Sequence, residues 1–256
     1  MTPKDYHINI GLNIHLREWA GAKPPFLLVH GLASNAHLWN KVAEHLAAAG
    51  HHVIAIDQRG HGLSDKPDEG YDFATVTADL KKLIDQLGLE KPYLAGQSWG
   101  GNVMLAFGVN YPAVARALCF VDGGTIDIQS DSEATWDVTR EKMKPPHLIG
   151  LPREKMAGYI KSSHPNWVEW QIEAVLANFE TLPDGTIRPW LTLERHMKIL
   201  HELWLQRPPH LYPHIQDPVL IAYATQGSDE WRERKKQQAQ AAASGPVSRG
   251  YREEIE

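Results

Sequence analysis

Four short apolar runs, each ending at glycine or aspartate, alternate with helical stretches over the first half of the chain, and this alternation limits the fold more than any other feature. PFLLVHG at 25 to 31, HVIAID at 52 to 57, PYLAG at 92 to 96 and ALCFVDGG at 117 to 124 read as buried parallel strands. A strand covered on both faces is apolar throughout rather than alternating. Between them, Leu38, Val42, His45, Leu46 and Ala49 mark a helical stripe closed by Gly50. Phe73, Val76, Leu80, Leu83 and Leu87 repeat at spacings of three and four, which predicts an amphipathic helix over 73–87 with Gly88 as its stop. Such succession implies an α/β fold, a mostly parallel doubly wound sheet with helices on both faces. Only the start departs from it: Ile8, Ile10, Leu12, Ile14 and Leu16 alternate with polar or small residues, as antiparallel strands do, and Gly11 allows the turn.

From about 125 to 216 the pattern changes. That segment holds nine of the 17 prolines and five of the nine tryptophans, and its periodicity is helical without strands between, so it reads as a helical cap inserted into the sheet. DPVLIAYA at 217 to 224 returns to a buried strand, followed by the polar helix DEWRERKKQQAQAAA. The expected division is therefore 1–124 for the first part of the core, 125–216 for the cap, and 217–256 for an incomplete second part. A chain of 256 residues has room for one large domain carrying such an insert.

Composition narrows the partners. A net charge of −5 gives no electrostatic footprint for gripping phosphate backbones, so nucleic acid is not expected. The N-terminus MTPKDYHINI lacks the basic start and apolar stretch of a secretory signal, and no run approaches ~18 apolar residues, which points to a cytoplasmic protein without a membrane span. Cys119, the single cysteine, lies in the apolar run ALCFV and reads as a small buried hydrophobe. His210 and His214 have a metal-ligand spacing, but Pro208, Pro209 and Pro213 break the helix that spacing needs, so no metal is expected.

GQSWGG at 96 to 101 lies where one apolar segment ends and a helical one begins. A serine hydroxyl is a weak nucleophile that needs presentation, a base and a place for developing negative charge. In the order strand, G-x-S-x-G, helix, Ser98 occupies a sharp, strained turn, with Gly96 and Gly100 removing side chains that would collide with the flanking elements. The helix starting at Trp99 directs its free N–H groups and positive dipole end at the site, so the Trp99 N–H is one expected oxyanion donor. HGLASNAHLW at 30 to 39 follows an earlier strand and offers the Leu32 N–H as the second, with Gly31 permitting close approach.

With HGLASNAHLW, DQRGHGLSDKP at 57 to 67, GQSWGG and the VDGG at 121 to 124, the chain resembles the α/β hydrolase superfamily in its cap-bearing serine branch, along its whole length and in the same order. The resemblance implies that Asp57, Arg59, Gly60, Gly62 and Ser64 shape a loop beside the sheet. It also implies hydrolysis of a small ester, amide, lactone or thioester through an acyl enzyme, without a cofactor. Haloalkane dehalogenases and epoxide hydrolases resemble this chain in the cap and HG loop, yet attack with an aspartate; Ser98 argues against both.

In this fold the acid follows the serine and the histidine follows the acid. After VLIAYA, the loop ATQGSDE offers Asp229 and Glu230. Asp229 is favoured because it comes first and has the shorter side chain, although it suits a helix N-cap equally well. Asp122, at the end of the preceding strand, is the reserve. No histidine follows Asp229, since the last of the 14 is His214. His30 and His61 flank the site but sit beside glycines in loops, where imidazoles usually hold backbone. A helix, a strand and their loops place the base roughly 25 to 30 residues past the acid, at or beyond residue 256. The expectation is a chain lacking its final strand, covering helix and base histidine, with an apolar sheet edge and weak or no activity. Two other readings stay open: a ligand-binding or regulatory protein on a hydrolase scaffold, and carbon–carbon bond hydrolysis or a lyase reaction. Trp136, Trp167, Trp170, Trp190 and Trp204 suit either cap packing or an apolar pocket, and packing is the preferred reading.

Overall fold

The computed structural model describes residues 2–131 and 133–224, together with 233, 236, 237, 240, 250 and 251. β1 (Lys4–Asn9) and β2 (Asn13–Trp19) form the expected antiparallel hairpin, turning at Gly11 with φ 100°. β3 (Lys23–Val29), α1 (Asn40–Ala48), β4 (His51–Ile56), α2 (Phe73–Gln86), β5 (Tyr93–Gln97), α3 (Trp99–Asn110) and β6 (Ala117–Val121) then alternate as the sequence predicts. The sheet order is β1-β2-β4-β3-β5-β6 and onward through two later strands, with every pairing from β4 onward parallel.

Alternation along each strand divides the core between the two faces of the sheet. Leu27, Val29, Ile54, Ile56 and Leu94 pack with α2 and α3 through Val76, Leu80, Leu83, Val103 and Phe107. Leu28, Val53, Ala55 and Ala95 point the other way, onto α1. α3 is buried from Trp99 through Gly108, as a helix apolar on all sides must be.

The expected stripe on α1 is the wrong face. Leu38 and Val42 are 39% and 46% exposed, while Trp39, Ala43 and Ala47 are buried against the sheet. Alanines let the helix axis approach the strands closely, and the larger Trp39 fills the space at its open end.

Between β6 and the next strand of the main sheet lie α4 (Trp136–Lys142), α5 (Arg153–Ser163), α6 (Glu169–Leu176), α7 (Leu193–Leu205) and α8 (Pro208–Leu211). This segment also holds strands, contrary to the purely helical expectation. β7 (Leu151–Pro152), β8 (Phe179–Thr181) and β9 (Thr186–Pro189) form an antiparallel sheet in the order β7-β9-β8. Strands of two to four residues are too short to show an alternating pattern. β10 (Val219–Ala222) returns to the main sheet beside β6, and β11 (Gly250–Tyr251) pairs parallel to β10. β11 falls within the GYREEIE segment, where the final strand was expected to be running. The polar helix anticipated after β10 lies mostly outside the described residues.

Candidate active site

The strand order itself sets where a site can form. From β3 the chain crosses to β4 on one side and returns to β5 on the other, so the loops after β3 and β5 diverge from adjacent strand ends. Open parallel sheets bind ligands in the crevice at such a switch point. Here that crevice receives the HG loop after β3 and the GQSWGG turn after β5.

Ser98 sits on this turn at φ 52°, ψ −122°, a conformation that non-glycine residues rarely adopt and that costs of order 1–3 kcal/mol. Close backbone packing holds it there. A Cβ on Gly96 would lie 2.1 Å from the Gly100 carbonyl oxygen, and one on Gly100 would lie 2.6 Å from the carbonyl oxygens of Val29 and His30. On the other side, the Ser98 N–H donates to the Val121 carbonyl at 2.9 Å, and a Cβ on Gly123 would meet the Ser98 carbonyl oxygen at 2.0 Å. The elbow is therefore wedged between β3 and the loop after β6, and its half-buried side chain engages no hydrogen-bond partner among the described residues.

The HG loop lies against it. A Cβ on Gly31 would stand 3.1 Å from Ser98 Cβ. Neither the Leu32 N–H nor the Trp99 N–H reaches an acceptor among the described residues; Trp99 follows Ser98 directly, and Leu32 follows Gly31, which packs on Ser98. Ala33 holds the loop's bend at φ 55°, and its N–H donates to His61 Nε2 at 3.3 Å.

That bond settles what His61 does, and His30 is held in the same way. His61 Nδ1–H donates to the Arg59 carbonyl at 3.0 Å. His30 Nδ1–H donates to the Gly31 carbonyl at 2.7 Å, while its Nε2 accepts from the Gln58 N–H at 3.1 Å. Each ring has one nitrogen donating and one accepting, which leaves no lone pair for a serine proton. Burial pushes both imidazoles below their ordinary range, His61 the further because His30 lies beside it, so both are neutral.

Asp57 organises the loop under the site. Its carboxylate accepts from the Ala36 N–H at 2.7 Å, the Leu63 N–H at 2.9 Å and His15 Nδ1 at 2.9 Å. Burial alone would raise its pKa, but these donors outweigh it and hold the carboxyl well below its usual range. Arg59 Nε bonds Asp79 at 2.6 Å, and Ser64 Oγ donates to the Asp57 carbonyl at 2.5 Å. These side chains are spent on structure, as the family resemblance implies.

Of the acid candidates, Asp122 follows Val121, which pairs with Gln97, so it stands one strand over from Ser98, at φ 47°. Its N–H donates to the Ala222 carbonyl at 2.7 Å. Asp229 and Glu230 lie outside the described residues. Among the described residues no three His, Cys, Asp or Glu side chains gather as a metal site, and no helix is long and apolar enough to cross a membrane.

Contacts that the sequence does not announce tie the elbow and the HG loop to the segment between β6 and β10. Asn102 on α3 accepts from the Gly124 N–H at 2.8 Å and donates to Gln206 Oε1 at 2.6 Å, both groups being buried. Asn35 in the HG loop accepts from the His37 N–H, and its amide donates to the Ala174 carbonyl at 2.9 Å and to Asn178. Between this segment and the core loops lies a cavity of about 570 Å³, bounded on the core side by Ala33, Ser34, His61 and Gly62. Ser98 does not itself line it. Of the five tryptophans noted in the sequence, Trp190 does, whereas Trp167 packs with Ile160, Ile172 and Leu176 and stacks on His164.

Comparison with known proteins agrees with this geometry. The chain is 42% identical over 83 residues to an epoxide hydrolase of Mycobacterium tuberculosis, covering 32% of this chain and 26% of that protein. It is 34% identical over 116 residues to a 2-(acetamidomethylene)succinate hydrolase of Mesorhizobium japonicum, covering 45% of this chain and 41% of that one. The matches thus span well under half the length of either relative. A crystal structure of E-2-(acetamidomethylene)succinate hydrolase superposes with a TM-score of 0.79 at 23% identity, over 97% of this chain and 91% of that chain, and so shares the fold. The family model described as alpha/beta hydrolase fold matches residues 24–216, taking in the HG loop, the elbow and the segment after β6. The chain belongs to the alpha/beta hydrolase fold family.

Proposed function

We propose that the protein is a serine hydrolase that cleaves an ester-like bond (ester, lactone, thioester or amide) in a small molecule through an acyl enzyme on Ser98. The observation that carries this reading is the strained backbone of Ser98, held at φ 52° beside two unengaged amide hydrogens from separate loops. In this mechanism Ser98 Oγ attacks the carbonyl carbon while a base removes its proton, and the carbonyl oxygen becomes an oxyanion facing the Leu32 and Trp99 N–H groups. Collapse expels the leaving group, which takes up that proton. Water then repeats the attack on the acyl carbon and releases Ser98.

The names of the two relatives support hydrolysis as the reaction class, and a serine at the elbow favours acyl transfer within it. Residues 125–216 act as a cap over the cavity in this reading. Asp229 orients the base, with Glu230 or Asp122 as alternatives. His30 and His61 do not serve as the base, because both ring nitrogens of each are occupied.

Hydrolysis of 4-nitrophenyl butyrate by the full-length protein and its Ser98→Ala variant tests the proposal. Loss of turnover by roughly 10⁴-fold or more is expected; undiminished turnover removes Ser98 from the mechanism. A second reading, a ligand-binding scaffold without turnover, is favoured by the two locked imidazoles. Ligand binding by the full-length protein with neither ester turnover nor a fluorophosphonate adduct would support it instead.

A further inference from the structure

We propose that the cavity beside the HG loop selects an amphipathic substrate, with its scissile bond and apolar chain toward the core loops and an anionic head group toward the inserted segment. The word substrate rests on the hydrolase reading above; the selection of an anion does not. The argument begins with the wall of the cavity. Among the described residues its ionisable lining groups are His61, Lys144, His147, Arg188 and His196, with neither an aspartate nor a glutamate. In a chain of net charge −5, a wall of this single character differs from the protein as a whole.

The basic groups are also arranged by side. His61 belongs to the core loop and is neutral, with both nitrogens bonded to backbone. His196 is buried on α7, where burial pushes its imidazole down against a hydrogen bond to the Met143 carbonyl. Of the permanent charges, Lys144 and Arg188 lie on the inserted segment. Lys144 is exposed and has no carboxylate within ion-pairing distance among the described residues. Arg188 on β9 is held through Nε by Glu180, its cross-strand partner, and its Nη groups engage nothing among the described residues.

A further charge stands behind the wall. Lys66 Nζ lies 4.6 Å from the centre of the Trp190 ring and donates to the carbonyls of Gly62 and Ser64 at 2.8 Å and 2.7 Å. It too has no carboxylate within ion-pairing distance among the described residues, and both Trp190 and Gly62 line the cavity. Glu180 at Arg188, with Asp57 and Asp65 acting on Lys66, stands against three cations. Much of the remaining lining is apolar, with Leu148, Ile149, Phe179, Trp190 and Leu191. Apolar burial supplies affinity there, and the cations supply orientation, because charge interactions strengthen where water is excluded. A long-chain hemiester, with the ester at the core end and a carboxylate at the other, has the required chemistry; a phosphate head offers the same negative charge.

Binding tests this without needing turnover. Octanoate, octanamide and octyl phosphate are titrated into the Ser98→Ala variant by calorimetry, and again after adding Lys144→Gln and Arg188→Gln. We expect octanoate to bind at least tenfold tighter than octanamide, and the preference to vanish in the triple variant while octanamide binding stays unchanged. Tighter binding of octyl phosphate than of octanoate assigns the head to phosphate, and weaker binding to carboxylate. Lys144→Gln alone, at an exposed loop position, guards against misfolding and should remove part of the preference. Equal binding of octanoate and octanamide, a preference that survives the substitutions, or no binding of any probe overturns the proposal. Any of these results leaves Ser98 chemistry standing, and failed ester hydrolysis leaves the anion preference standing.

Discussion

One methyl group, added at Gly100 and separately at Gly158, tests how tightly the elbow is packed. Both glycines lie inside helices, α3 and α5, where Gly→Ala ordinarily stabilises by about 0.8–1.0 kcal/mol. At Gly158 nothing lies within 4 Å of the added carbon. That variant should gain about 0.5–1 kcal/mol, raising Tm by roughly 1–4 °C. At Gly100 the same carbon would stand 2.6 Å from two carbonyl oxygens, well inside the 3.4 Å where ordinary contact begins. Those oxygens belong to Val29 and His30, and Val29 is paired with both β4 and β5, so neither atom can swing aside as a side-chain end would. α3 must move instead. Overpacking of this kind costs about 1–3 kcal/mol; at the middle of that range it exceeds the propensity gain and leaves a net loss of about 1 kcal/mol. Urea unfolding followed by tryptophan fluorescence gives the sign directly. An unfolding midpoint for Gly100→Ala equal to or above that of the wild type would refute the packing argument, whatever Gly158→Ala does.

Asp57→Asn turns an amide N–H toward groups that already donate, and should cost about 3–5 kcal/mol at neutral pH by urea unfolding. Because the folded-state pKa of Asp57 lies below its unfolded value of ~3.9, the wild type holds this stability above about pH 4 and loses it as pH falls below. The gap between wild type and variant should therefore narrow on acidification, and a gap that widens would contradict the assignment. Asn102→Ala strips partners from the Gly124 N–H and the Gln206 side chain, and should cost about 1–3 kcal/mol for each buried group left unpaired, again read from the urea midpoint. Burial pushes the Cys119 thiol up to about 11. At pH 8 it should react with Ellman's reagent at least roughly tenfold more slowly in the native protein than in the unfolded one.

Elements with a strong pattern were legible in the sequence. The strands from β3 to β6 announced themselves by unbroken apolar runs, and the elbow by two glycines around Ser98 at a strand-to-helix junction. What escaped was set by distance or brevity. On α1 the periodicity supported two faces, and large residues pointed to the wrong one; only the neighbouring sheet decides that Ala43 and Ala47 lie inward. The small sheet of β7, β8 and β9 left no alternation to read, and one of its strands ends in Pro152. Asn35 reaches Ala174 and Asn178, and Lys66 reaches Trp190, across intervals of more than a hundred residues that no local spacing encodes. His30 and His61 were correctly seen as backbone holders, because imidazoles beside loop glycines lie next to exposed peptide groups. Asp229 and Glu230, assigned by chain order alone, lie outside the described residues.

The account rests on Ser98 Oγ facing the amide hydrogens of Leu32 and Trp99, and a crystal structure of the full-length protein treated with a fluorophosphonate measures that directly. A bond from phosphorus to Ser98 Oγ is predicted, with one phosphonyl oxygen about 2.7–3.1 Å from both amide nitrogens. An adduct on another residue, or a phosphonyl oxygen turned away from both amides, would contradict it.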